Sequence, residues 1–226
     1  MTGGLRLDLH VHSDHSPDGR ASVDRLVAWA DQQRLDGLAL TDHNTVAGHA
    51  RLAELAREHP KLRLLPGVEV STVEGHLLAY GVGTAPPTHR SVGETIDWVS
   101  SHGGVAVLAH PFRRVHGVGP VVARAARVPA IEGMNGHNGR PANERAVRLA
   151  QALSVGTTGG SDAHARGEVG RAWTRFPEGV SDPDGLLEAL RGGRTVAEGR
   201  SASAWERTRT SFRSFALRLG RGLKPI

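Results

Sequence analysis

Two short patterns carry the first chemical signal. His10-Val11-His12 closes one apolar run, and Asp162-Ala163-His164 follows another. In an extended segment residues i and i+2 point the same way, so each pair can turn both side chains on one cation. A single His-x-His is more often two solvent-facing side chains; a second pair with the same spacing strengthens both. The chain has 13 histidines and no cysteine. It therefore lacks the residues for a disulfide framework, a thiolate zinc site, an iron–sulfur cluster or a cysteine nucleophile. A surplus of imidazole and carboxylate instead suits metals that accept nitrogen and oxygen ligands.

Other ionisable residues sit at similar places. The run Gly37–Leu40 ends in Thr41-Asp42-His43, the run 63–68 in Glu69, the run 105–109 in His110-Pro111, and Ala130-Ile131 in Glu132. Glu69 alone reads as a surface acid, but a carboxylate is also the natural bridge between two cations. His110 alone reads as a core histidine. His76, which opens the run 77–82, reads either way, and so does His137 in the loop 135–139. Asp42 is either an orienting partner near His43 or the N-cap of the next helix.

These residues need elements to position them. Short apolar runs at 5–9, 37–40, 62–70, 77–82, 105–109, 130–132, 155–158, 172–176 and 195–197 read as strands. Helical periodicity falls at 23–33, capped by Ser22, and at 45–58, 92–101, 121–127, 143–153 and 183–190. The alternation predicts an α/β protein with a largely parallel sheet, more plausibly a small distorted barrel than a doubly wound sheet. Side chains at the carboxyl ends of such strands converge on one face, where barrel enzymes build their sites.

The formal charge of +5 and pI near 10.8 invite a nucleic-acid or membrane reading. Location weakens it. Residues 200–226 carry six arginines and Lys224 against Glu206 alone, a net of +6, which leaves 1–199 at −1. The chain therefore divides into a chemical domain, 1–199, and a basic tail, 200–226. On a helical wheel Trp205, Phe212, Phe215, Ala216 and Leu219 share one arc, which predicts a basic amphipathic helix docking that stripe on the barrel. The alternatives are an interfacial helix on a membrane surface and an electrostatic contact with nucleic acid. With no signal-like leader and no stretch of about 18 apolar residues, a cytoplasmic protein without a transmembrane segment is expected.

Taken in order, Asp8-Leu-His10-Val-His12, Ser16-Pro-Asp18-Gly19, Leu40-Thr-Asp42-His43-Asn44, Pro66-Gly-Val-Glu69-Val-Ser71, Gly75-His76, Ala109-His110-Pro111 and Gly160-Ser-Asp162-Ala-His164 resemble the PHP (polymerase and histidinol phosphatase) family. Each motif is weak alone; the ordered set, along roughly 5–176, is specific. The resemblance implies a distorted (β/α)7 barrel, two or three divalent metals (Mn, Fe or Zn) and hydrolysis of phosphoesters. Carried over by position, His10, His12, Glu69 and Asp162 would hold one metal. Glu69 would bridge to a second, bound by His76 and His110. Asp18, His43 and His164 would hold a third, with Asp18 standing where some members have His. Catalysis would rest on Glu69 and Asp162 with Arg113, which suits a bidentate phosphate contact. Arg113, Glu132 and Asn135 would shape the substrate pocket.

The close succession of Glu69 and His76 is similar to the subgroup that acts on nucleoside bisphosphates and trims short RNA 5′ ends. Residues 77–109, however, leave no room for that subgroup's helical insertion. The expected activity is hydrolysis of small or nucleotide phosphomonoesters. The alternatives are a nuclease-like phosphodiesterase acting on short oligonucleotides and a non-catalytic metal-binding accessory domain.

Overall fold

The structure, a computed structural model, describes residues 3–220 and 222, with the side chains of Ser211, Arg213, Ser214, Phe215 and Arg218 excepted. Among the described residues nine strands form one sheet: β1 (Arg6–Val11), β2 (Gly37–Leu40), β3 (Arg63–Ser71), β4 (His76–Tyr80), β5 (Val105–Leu108), β6 (Ala130–Asn135), β7 (Gly156–Gly160), β8 (Ala172–Arg175) and β9 (Val196–Gly199). Their order is β7-β6-β5-β4-β3-β2-β1-β8-β9. A parallel bridge from Val11 to Ala163 and a bond from His12 N to Ala163 O at 2.9 Å bring the segment after β7 back to β1. The sheet thus nearly closes into a barrel, the distorted α/β barrel that the sequence predicts.

It is less parallel than expected. β1-β2-β3 and β5-β6-β7 are parallel, but β4 runs antiparallel to both β3 and β5, and β8 and β9 are antiparallel as well. The reason is local. Only Thr72, Val73, Glu74 and Gly75 separate β3 from β4, and a parallel return needs a crossover of roughly a dozen residues. Gly75, at φ +154°, makes this turn against the backbone of the 116–118 segment, where a Cβ would lie 2.7 Å from His116 O.

Helices α1 (Val23–Gln32), α2 (His49–Glu58), α3 (Val92–Ser101), α4 (Gly119–Ala125), α5 (Arg140–Leu153) and α6 (Pro183–Arg191) pack against the strands. Leu26, Val27 and Ala30 are buried on α1, as their spacing requires. Ser22 holds the extended N-cap backbone there without a side-chain bond, whereas Ser91 and Glu94 form a reciprocal capping box at α3. Leu7, Leu9, Ala39, Leu65, Leu78 and Val107 fill one buried cluster, and two further clusters join strands to the helices. Each such leucine contributes on the order of 2 kcal/mol by leaving water. Among the described residues no helix is long and apolar enough to cross a membrane.

The tail is helical, α7 (Ala204–Gly220), but the predicted docking is overturned. Trp205, Phe212 and Leu219 are 67%, 72% and 57% exposed, so the apolar stripe does not lie on the barrel; the Phe215 side chain is outside the described residues. Polar anchors seat the helix instead. Ser203 and Glu206 exchange capping-box bonds, with Ser203 N to Glu206 Oε2 at 2.8 Å and Glu206 N to Ser203 Oγ at 3.2 Å. Glu206 also takes Arg200 at 2.9 Å and approaches Arg171 at 3.7 Å, and Thr210 Oγ1 donates to Glu168 at 3.3 Å. A wheel that scores only apolar residues misses such anchors.

Candidate metal centre

The strand ends deliver their side chains to one point. His10 lies on β1 and His12 just beyond it, Glu69 on β3, His76 at the start of β4, and His43, His110, Asp162 and His164 on the turns that leave β2, β5 and β7. All nine predicted ligands, Asp18 included, are at most 9% exposed. Close backbone approach makes this possible: at Gly160 a Cβ would come within 2.7 Å of His10 N. Two site residues also sit in the left-handed region, His110 at φ +27° and Asp162 at φ +57°. That conformation costs roughly 1–3 kcal/mol for a residue with a Cβ, and surrounding structure must hold it.

Glu69 is the hub. Its Oε2 is 3.0 Å from His10 Nε2, 3.2 Å from His12 Nε2 and 3.4 Å from His43 Nδ1. Its Oε1 is 2.8 Å from His76 Nδ1 and 2.9 Å from His110 Nε2. Asp162 Oδ1 approaches His12 Nε2 at 3.3 Å and His10 Nε2 at 3.6 Å. Asp18 Oδ2 lies 2.9 Å from His164 Nε2 and 3.5 Å from His43 Nε2. One ligand atom each from His10, His12, Glu69 and Asp162 falls within 4.8 Å of the others, and the same holds for His43, Glu69 and His76, and for His12, His43 and His164.

These residues fit divalent cations on their own chemistry. Both ring nitrogens of His12, and Nδ1 of His43 on the side of Glu69, are buried without a hydrogen-bond partner. An unsatisfied buried polar atom costs about 1–3 kcal/mol, so a core with several is explained by a ligand that takes their lone pairs. An imidazole–carboxylate donor set suits Mn, Fe or Zn.

Charge in the cluster is strongly organised. Burial alone would push His10 and His12 down, but Asp162 and Glu69 outweigh it, holding His10 well above its ordinary value and His12 at about 10. Burial alone would raise Glu69 and Asp162; His10, His43 and His76 hold Glu69 well below the carboxylate range, and Arg113 and His10 do the same for Asp162. His110 goes the other way, to about 3, through burial and then Arg113.

A ring of polar residues holds the cluster. Glu132 and Asn135, expected on the pocket wall, are buried behind it at 1% and 0% exposure. Glu132 Oε1 meets His10 Nδ1 at 2.9 Å, while Oε2 accepts from His110 N at 2.7 Å and Asn135 Nδ2 at 3.0 Å. That fixes His10 with Nε2 facing the centre. Glu132→Gln is therefore expected to weaken divalent-metal affinity about 10–100-fold without unfolding, a loss that a metal titration reads directly. Asp42 does not cap α2, which begins only at His49; it accepts from Ser13 N at 2.6 Å and Ser13 Oγ at 2.7 Å, pinning the turn after His12. Arg113 ion-pairs with Asp162 and donates to Asn135 at 2.7 Å and Asn138 at 3.0 Å.

A cavity of about 520 Å³ opens over the cluster, and its lining includes Asp18, His43, Glu69, His76, Asp162, His164 and Arg113. Three residues that sequence reasoning left aside or unplaced join the cluster. His116 stacks on His76 with ring centroids 4.6 Å apart. His137 stacks on His164 at 5.2 Å, and its Nε2 lies 3.4 Å from Glu168. Glu168 also accepts from His164 N at 3.0 Å, and a Glu four residues after a site histidine was the one signal that could have found it.

Comparison with known proteins bears on the family and the fold. The model of the PHP domain matches residues 8–119 and that of the PHP-associated region residues 140–195. Over 88 residues the chain is 40% identical to the 5′-3′ exoribonuclease Rnm of Salmonella typhimurium, covering 37% of this chain and 30% of that protein. Over 97 residues it is 33% identical to the phosphoribosyl 1,2-cyclic phosphate 1,2-diphosphodiesterase of Eggerthella lenta, covering 40% and 36%. The alignment thus spans about a third of each of these relatives. Among solved structures, PsfC of Pseudomonas syringae superposes with a TM-score of 0.69 at 22% identity, over 96% of this chain and 98% of that one. A Bifidobacterium adolescentis protein classed as a metal-dependent phosphoesterase gives 0.63 at 21%, over 82% and 96%. At those identities the two structures speak to the fold.

Proposed function

Because the chain belongs to the PHP family, we propose that it is a metal-dependent phosphoesterase whose substrates are phosphomonoesters of small molecules or nucleotides. The observation that carries this reading is Glu69, a buried carboxylate whose two oxygens each face at least two histidines. His10, His12, Glu69 and Asp162 would hold one cation, Glu69 with His76 and His110 a second, and Asp18, His43 and His164 a third. Divalent cations so held supply Lewis acidity and lower the pKa of water towards neutrality.

The chain's own residues supply position and charge. Arg113 lines the cavity and is only 26% exposed, with its guanidinium held by Asn135 and Asn138. It is placed to move one N–H from Asp162 to a phosphoryl oxygen and to offset negative charge as it grows in the transition state. Glu132 keeps His10 turned inward, and the Asp42–Ser13 bonds keep His12 in line. The likeness to an exoribonuclease and a cyclic-phosphate diphosphodiesterase favours a second reading, cleavage of a phosphodiester in a short oligonucleotide.

A phosphate-release screen with added Mn tests both. It should include histidinol phosphate, nucleoside 3′,5′-bisphosphates, 5′-phosphorylated oligonucleotides and an aryl diester. Release from monoesters is the expected result. Bound metal without turnover of any mono- or diester would overturn the enzyme reading in favour of a metal-binding accessory domain.

A further inference from the structure

One wall of the cavity comes from outside both family matches. They end at residue 195, yet Arg207 and Thr210 of α7 line the same space as the ligand cluster. The helix is seated there by specific bonds: Ala202 N donates to Asn138 O at 2.9 Å, and Thr210 Oγ1 to Glu168 at 3.3 Å. Arg207 Nη1 donates to Ala202 O at 3.0 Å and occupies space that Gly139 leaves open, since a Cβ at Gly139 would lie 2.8 Å from it.

The charge of this wall is unbalanced. Of the three arginines that line the cavity, Arg113 has a carboxylate within 4 Å. Among the described residues Arg114 and Arg207 do not, although both face one cavity. Phe112, Pro141 and Ala142 add an uncharged surface to the same lining. Guanidinium groups without a counter-charge are suited to binding an anion.

We propose that Arg207, with Arg114, binds a second anionic group of the substrate, a phosphate or a carboxylate, separated from the scissile phosphate by an uncharged body lying along Phe112, Pro141 and Ala142. This rests on the phosphoesterase reading, and α7 sets substrate choice by it.

The test uses the full chain loaded with Mn and three matched series: bisphosphates of linear diols, ω-carboxyalkyl phosphates and alkyl monophosphates of the same lengths. For at least one length, kcat/KM should exceed that of the monophosphate tenfold or more, chiefly through KM. The series that gains tells phosphate from carboxylate. Arg207→Ala should bring the ratio close to one, Arg207→Lys should keep most of it, and Gly139→Ala, which crowds the guanidinium without straining the backbone (φ −72°), should fall between. Equal kcat/KM for all series, or a ratio unchanged in Arg207→Ala, overturns the proposal. So does an equal collapse in Arg207→Ala and Arg207→Lys with lost hydrogen-exchange protection in α7, because Arg207 then merely seats the helix. If the wild type turns over no series, calorimetry separates the two ideas. Tighter binding of bisphosphate than monophosphate, lost in Arg207→Ala, keeps the subsite and drops the phosphoesterase; equal binding drops the subsite.

Discussion

Asp162→Asn is expected to lower phosphomonoester turnover by about 10³-fold or more, a loss of roughly 4 kcal/mol of transition-state stabilisation, while the protein stays folded. The choice of Asn matters. Asp162 sits at φ +57°, and after Gly the residues that tolerate this region best are Asn and Asp. Asn is also isosteric, so its amide oxygen keeps a place near His12 and His10 while the negative charge is lost. Ala would add backbone strain and confuse the reading. What fails in Asp162→Asn is charge: the carboxylate is one of four groups converging on one cation position, and it is also the counter-ion of Arg113. His10→Ala should be as damaging by another route, since it removes the imidazole between Glu69 and Glu132. Steady-state kinetics, metal content and far-UV circular dichroism on each purified variant check this. Wild-type rates in either would show that the ligand assignment is wrong.

The convergence of these side chains was legible in the sequence because barrel geometry converts a one-dimensional regularity into a three-dimensional one. Residues at successive strand ends are far apart in the chain but adjacent at the barrel mouth. His10, His43, Glu69, His110 and Asp162 could therefore be placed together from position alone, and the i, i+2 spacing added His12 and His164. Departures from that regularity were harder to see. β4 is antiparallel because its connection is four residues long, a fact of loop length rather than of apolar pattern. Glu132 had the address of a ligand but faces His10 from behind, a distinction that depends on which side of β6 it occupies. His137 and Glu168 meet through a loop and a single turn of 3₁₀ helix, where no periodicity applies. In α7 the apolar stripe was the strongest sequence feature and the wrong guide. The helix is held by Glu206 and Thr210, whose partners Arg171 and Glu168 are identifiable only after folding.

Metal affinity is expected to rise with pH near neutrality, with protons released on binding at pH 7. Without metal, His10 is held well above its ordinary value and His12 at about 10, so both carry protons at pH 7. Coordination needs their lone pairs, hence both protons must leave. Glu69 and Asp162, held well below the carboxylate range, are already ionised and release nothing. The same shifts set the stability of the metal-free protein. The raised His12 contributes stability fully present below its unfolded value of 6.5 and lost as pH rises through about 10. The lowered Glu69 and Asp162 contribute stability present above about 4.5 and lost as pH falls through their folded values. His110, lowered to about 3, is buried neutral; it opposes folding progressively as pH drops below 6.5. The metal-free protein should thus be most stable near pH 6.5 and lose stability on both sides. The metal-loaded protein should gain stability as pH rises from there, because ligand neutrality and cation binding reinforce each other. Calorimetry in buffers of different ionisation enthalpy counts the protons, and thermal melts with Mn or with a chelator follow the two stability profiles. Affinity independent of pH, with no proton released, would mean that the imidazoles facing Glu69 are not the groups that bind the metal.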